Sequence, residues 1–152
     1  MRSVLKQILL YLCLFLGVAT LKAQHVEYGV ALDTNYMMIG DQQHLTFKAK
    51  VDPGVRIVFP RLQDTVVHGL EIISGPVRDS VKEKDGRWLL EEKYVVTAFD
   101  TGVYVVPPQP ITIESQEYNN IVRTDPVGLV VNTFQVDPQL SLIHISEPTR
   151  LR

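Results

Sequence analysis

Between residues 26 and 134 apolar and polar positions alternate with a period of two. The clearest run is 44–51, where Leu45, Phe47, Ala49 and Val51 share one face and Thr46, Lys48 and Lys50 the other. Successive side chains of a strand point to opposite faces, so this pattern predicts a half-buried strand. The same reading places strands at 26–32, 55–59, 70–74, 77–84, 88–98, 103–106, 111–114 and 127–134, eight or nine in all. No long stretch of helical period interrupts them. Gly40-Asp41, Asp52-Pro53-Gly54, Ser74-Gly75-Pro76, Asp85-Gly86, Pro107-Pro108 and Asn119-Asn120 fall between the runs as turn signals, each offering a positive or a fixed φ. Asp85-Gly86 predicts a two-residue type I′ hairpin between 77–84 and 88–98. Pro107-Pro108-Gln109-Pro110 predicts a rigid bend or edge strand rather than a polyproline ligand, because proline gives no donor to a sheet ladder.

Many short strands with closely spaced turns predict an all-β fold, an immunoglobulin-like antiparallel β-sandwich. Asp100-Thr101-Gly102-Val103-Tyr104 sharpens this. It places Asp, Gly and Tyr at alternate positions before a strand, the pattern of a tyrosine corner in which the phenol bonds back to nearby backbone. Two residues after the corner tyrosine, where antibody domains carry a cysteine, stands Val106, so no inter-sheet disulfide is expected. Trp88 is expected in the core.

The ends of the chain read differently. Arg2 and Lys6, the apolar run 8–19 and the small residue Ala23 predict a cleaved signal peptide over 1–23, with a run too short to span a bilayer. Cys13 lies within that run behind Leu12 and does not fit a lipidation site. At the other end, residues 140–150, Leu-Ser-Leu-Ile-His-Ile-Ser-Glu-Pro-Thr-Arg, resemble one reading frame of a transposase sequencing adapter. Residues 140–152 are therefore expected to be a non-native tail. Residues 24–139 are read as one domain, a fragment of a longer protein.

Charge and chemistry narrow the function classes. Five of the 15 basic residues and one of the 17 acidic ones lie outside 24–139, leaving 10 against 16 and a formal charge of about −6. Such a surface disfavours nucleic acid and anionic lipid. The single cysteine, Cys13, falls in the signal segment, which removes disulfides and thiolate chemistry from the domain. His25, His44 and His68 form no metal-binding spacing. Glu91 and Glu92 are adjacent on a strand and point apart, and Asp33 with Asp41 makes no better acid/base pair. Asp33, Asp41, Asp52 and Asp64 lack calcium-loop spacing and read as turn and solvation residues. With no phosphate loop or nucleophile elbow either, no catalytic, cofactor-binding or metal-ligating residue is assigned, and no cofactor is expected. What remains is a surface. An edge strand beside 118–121, or the loop 59–69, could pair with another chain by strand addition. A ligand-binding alternative, for carbohydrate, would need Trp88, Tyr94, Tyr104 and Tyr118 to line an exposed platform. A third reading makes the domain the accessory part of an enzyme whose catalytic region follows Gln139.

Several stretches taken together resemble one family: Ile39-Gly40-Asp41-Gln42, Phe59-Pro60-Arg61-Leu62-Gln63-Asp64-Thr65, Gly69-Leu70-Glu71-Ile72, and Thr97-Ala98-Phe99-Asp100 leading to Tyr104 and Pro107-Pro108. Over 26–137 the chain is similar to the N-terminal region of BatD-like envelope proteins of Bacteroidota, the Bat aerotolerance group. The resemblance implies an exported, non-enzymatic protein-interaction module with immunoglobulin-like domains on the periplasmic side. It also implies an inner-membrane anchor through a later helix that this chain does not include. The implied partners are envelope proteins, von Willebrand A-type Bat proteins among them. No active-site residues come with the resemblance.

Overall fold

The computed structural model describes residues 26–134 except Glu117. The expected signal peptide and the expected tail lie outside the described residues. Within them the chain is all-β, with eleven strands and no helix. One layer is a five-stranded antiparallel sheet in the order β1 (Glu27–Leu32), β3 (Gln42–Val51), β7 (Trp88–Thr97), β6 (Leu70–Lys82) and β5 (Thr65–Val67). The other layer consists of two three-stranded sheets. One has the order β2 (Tyr36–Met38), β11 (Val127–Asn132), β8 (Gly102–Val106); the other has β10 (Asn119–Arg123), β9 (Pro110–Glu114), β4 (Arg56–Val58).

These two sheets are halves of one long hairpin. Its first arm breaks between β8 and β9, where Pro107-Pro108 provides no backbone donor, and its second arm breaks between β10 and β11. The break is stitched by a reciprocal pair of bonds: Thr124 N–H donates to the Gln109 carbonyl at 3.0 Å, and Gln109 N–H donates to Thr124 Oγ1 at 3.0 Å. β2 then joins one half in parallel and β4 the other half antiparallel. The resulting order, β1-β3-β7-β6 facing β2-β11/β10-β8/β9-β4, is the immunoglobulin-like sandwich that the spacing predicts.

The core follows the alternation. Leu45 and Phe47 of β3, Tyr94 and Val96 of β7, Val106 of β8, and Leu129 and Val131 of β11 are buried together with Met37, Leu70 and Ala98. Burial of each larger side chain contributes roughly 1.5–3 kcal/mol over exposure. Phe47 meets Tyr94 edge-on with ring centroids 6.1 Å apart, and Val106, two residues after Tyr104, is fully buried in the same cluster. The tyrosine corner is present: Tyr104 Oη donates to the Asp100 carbonyl at 2.9 Å.

Local expectations fail at definite places. Ser74-Gly75-Pro76 does not turn the chain. The runs 70–74 and 77–84 belong to the single strand β6, whose register against β7 shifts on either side of Ser74. Gly75 takes φ +117° there, and the Gly75-Pro76 bond is cis. Asp85-Gly86 does join β6 to β7, but only Gly86 has positive φ, so the turn is not type I′. Gly86 N–H donates to the Glu83 carbonyl and Glu83 N–H to the Arg87 carbonyl, a three-residue loop closed by a glycine bulge. Asn119-Asn120 opens β10 instead of turning; the turn is one step earlier, where Ser115 N–H donates to the Tyr118 carbonyl at 2.9 Å. Trp88, expected in the core, starts β7 and is 37% exposed.

Candidate functional site

Inner positions of both layers fill the core, so a binding surface must be sought on the outer faces, the edges and the open side. The outer face of the five-stranded sheet is covered by ion pairs. Glu91 accepts from Lys48 at 2.9 Å and from Lys93 at 2.8 Å, while Lys50 pairs with Glu83 and Asp85. Arg87 reaches Asp85 at 3.0 Å and Glu27 at 2.8 Å. The hydrogen bonds from Lys93 and Lys48 hold the Glu91 carboxyl below its ordinary range, and Glu91 in turn raises Lys93. Val77 and Val81 are exposed on this face, with Asp79 between them.

The outer face of β2-β11-β8 is different in kind. Its register sets Val103 opposite Val130, Val130 opposite Tyr36, Val105 opposite Gly128, and Asn132 opposite Met38. These outward positions include no charged residue. Val103 is 73% exposed, Val105 53%, Tyr36 47% and Val130 39%. The alternate positions Tyr104, Val106, Leu129, Val131 and Met37 face the core. Both β8 and β11 thus read as near-continuous apolar runs, the pattern of strands covered on two faces, although here one face lies open. β8 is also an edge strand, paired with β11 alone among the described residues.

A second feature lies on the open side of the sandwich, between β4 and β6. Arg56, Ile57, Val58 and Phe59 on one wall and Arg78, Asp79 and Ser80 on the other border a cleft of about 410 Å³. Leu90, Glu91 and Glu92 of β7 complete it, and Arg61 lines it too. A further hollow of about 550 Å³ is lined by Arg61, Leu62, Gln63, Pro76, Arg78 and Tyr94. Arg61 and Arg78 thus line both spaces. Glu92 is 1% exposed, and two groups hold its carboxylate: Arg78 Nε donates at 2.7 Å and Tyr94 Oη at 2.9 Å. Tyr94 Oη also lies 3.3 Å from the Pro60 carbonyl and accepts from Leu62 N–H at 3.5 Å. A single phenol therefore positions both chain neighbours of Arg61 and, through Glu92, the guanidinium of Arg78. Burial, and then Glu92, raises the Tyr94 phenol; Glu92 raises Arg78.

The residues singled out from sequence fall as follows. Glu91 and Glu92 point to opposite faces, as strand geometry requires. Asp33 Oδ2 accepts from His44 N–H at 2.9 Å, and Asp41 Oδ2 from Met38 N–H at 3.0 Å, both within connections between strands. The first bond keeps the Asp33 carboxyl below its ordinary range. His44 pairs with that carboxylate, His68 sits in the turn before β6, and His25 lies outside the described residues. Among the described residues no group of three or more His, Cys, Asp or Glu is placed to hold a metal. Tyr118 and Ile121 flank the start of β10, which is an edge strand, and Ile121 is 66% exposed. The loop 59–69 is less free than expected: Phe59, Leu62, Val66 and Val67 pack on the core, and 65–67 is strand β5. Trp88, Tyr94, Tyr104 and Tyr118 do not form a platform, because Tyr94 is a core residue at 1% exposure. The sequence carries no signal that Arg61 and Arg78 line the same spaces, because the two are brought there only by the fold. No protein-family model and no curated protein matches the chain.

Proposed function

We propose that this domain is a non-enzymatic protein-interaction module that works on the periplasmic side of the cell envelope. The observation that carries the reading is the uncharged outer face of β2-β11-β8, where Val103, Val105, Val130 and Tyr36 lie exposed in register beside the free edge of β8. Contiguous exposed apolar surface of this kind is characteristic of sites that another macromolecule covers. A face without charge suits a folded protein partner, with desolvation of apolar side chains supplying affinity and the strand edge supplying orientation. The resemblance to BatD-like proteins directs the choice of partner to von Willebrand A-type Bat proteins, and the N-terminal apolar segment favours export.

The test is calorimetric titration of the chain with a purified von Willebrand A-type Bat protein. Val103→Glu with Val105→Glu should abolish binding, since each places an unpaired charge in a desolvated interface. Val77→Glu, on the ion-paired face, should leave it unchanged. Equal binding by all three proteins, or none by the parent chain, would remove this reading.

A further inference from the structure

We infer that the cleft between β4 and β6 is a binding site for an extended acidic peptide segment of a protein partner. The inference shares with the interaction-module reading only the premise that the partner is a protein, and it uses a different surface. Three observations lead to it.

The first is charge placement. In a domain of net negative charge, Arg61 and Arg78 line the same two adjoining spaces. Arg78 gives its Nε to Glu92 but its side chain stays 64% exposed, so the terminal nitrogens remain available. Arg61 has no ion pair and no side-chain hydrogen bond among the described residues. Apart from Glu92, the acids bordering the cleft do not compete for these arginines. Glu91 is committed to Lys48 and Lys93, and Asp79 lies opposite Glu91 in the register, so strand alternation turns it to the same outer side. Arg56, which also lines the cleft, faces Glu114 at 3.8 Å, and the two remaining guanidinium groups against the one buried carboxylate of Glu92 leave a positive excess that a ligand carboxylate would neutralise with paired hydrogen bonds.

The second is positioning. Through Tyr94 Oη the backbone on either side of Arg61 and the Glu92 carboxylate share one anchor, so the main chain that carries Arg61 and, through Glu92, the guanidinium of Arg78 are placed before any ligand arrives. Pre-placed donors lower the ordering cost of binding.

The third is backbone. β4 is the edge of its sheet, and beyond Ile72, whose N–H donates to the Asp64 carbonyl, β6 has no partner except β7 among the described residues. Consecutive residues of both strands line the cleft, so it is bordered by two uncovered strand edges. An extended chain can add to such an edge, its alternate side chains pointing into the cleft. That geometry favours a peptide over a free anion or a glycan, which would use the arginines and leave the edges bare.

The experiment uses the full chain and a fluorescein-labelled peptide of alternating Thr and Glu, followed by fluorescence anisotropy at low salt. Saturable binding is expected, weakened about tenfold by Arg61→Gln and by Arg78→Gln, each of which removes a charge-assisted contact. Backbone amides of β4 or β6 should exchange more slowly in the complex. A Thr-Gln peptide should bind at least about tenfold more weakly, and the Val103→Glu, Val105→Glu variant should bind the Thr-Glu peptide as the parent does. Arg61 is exposed and unpaired, so its replacement leaves the fold intact and remains decisive should Arg78→Gln destabilise the domain. Equal affinity for the Thr-Gln peptide, or an affinity unmoved by Arg61→Gln, would overturn the inference. So would a heparin fragment that outcompetes the peptide without protecting amides in β4 or β6, since that would make the cleft a site for anionic glycan.

Discussion

Replacing Tyr94 with Phe removes one oxygen from the interior and should destabilise the domain by about 2 kcal/mol. The ring is 1% exposed and meets Phe47 edge-on, packing that Phe would keep. The loss is confined to the hydroxyl, which donates to Glu92 Oε1 at 2.9 Å, lies 3.3 Å from the Pro60 carbonyl and accepts from Leu62 N–H at 3.5 Å. Hydrogen bonds to charged groups contribute roughly 1.5–3 kcal/mol, while a contact at the distance limit adds little. Glu92 is too buried for water to replace the lost donor, so it would keep only Arg78 Nε. In a domain of this size about 2 kcal/mol corresponds to a fall of roughly 8 °C in the thermal midpoint. Urea and thermal unfolding of the two proteins at neutral pH measure it, and a double-mutant cycle with Glu92→Gln isolates the pair. A coupling on the order of 1 kcal/mol is expected. A Tyr94→Phe protein within about 0.5 kcal/mol of the parent, or additivity in the cycle, would show that the phenol does not anchor this side of the sandwich.

Other perturbations probe other parts of the account. Gly75→Ala should destabilise by more than about 2 kcal/mol, because an added Cβ would sit 2.8 Å from the Lys93 carbonyl oxygen at a backbone φ of +117°; unfolding midpoints decide this, and a neutral result would mean that the β6 bulge is not as described. Tyr104→Phe removes the bond to the Asp100 carbonyl at a partly exposed site and should cost about 1 kcal/mol, read from urea midpoints at unchanged m. Stability should also fall on both sides of neutral pH. Asp33 and Glu91 have lowered folded-state values, so their contribution is present above about pH 4.5 and lost as pH falls. Lys93 and Tyr94 have raised ones, so theirs is present below about pH 10 and lost as pH rises. Glu91→Gln should flatten part of the acid limb in unfolding curves taken across pH, and an unchanged limb would contradict the pairing with Lys48 and Lys93.

Legibility in the sequence followed length and locality. Strands such as β3 and β7 announce themselves because ten residues of alternation exceed anything chance turns produce, and the tyrosine corner is legible because its bond spans only four residues. β2 and β5, three residues each, are too short to show a period, and β10 begins with two asparagines that resemble a turn. Ser74-Gly75-Pro76 has the composition of a turn, yet Gly75 packs against the Lys93 and Tyr94 backbone of β7, a long-range contact that no local pattern encodes. The cleft was illegible for the same reason. Glu92 is flanked in register by Phe47 and Arg78, and Arg61 and Arg78 line the same hollows although 17 positions apart in the chain. The open apolar face could have been found from the runs Val103–Val106 and 127–131, whose outward positions are as apolar as their inward ones.

The most direct test of the interaction-module reading is an amide-exchange footprint of the chain with and without a von Willebrand A-type Bat protein. Slowed exchange concentrated in β2, β8 and β11 is the predicted result. Protection confined to the ion-paired face of β1 and β3, or no change anywhere, would contradict the assignment of β2-β11-β8 as the docking surface.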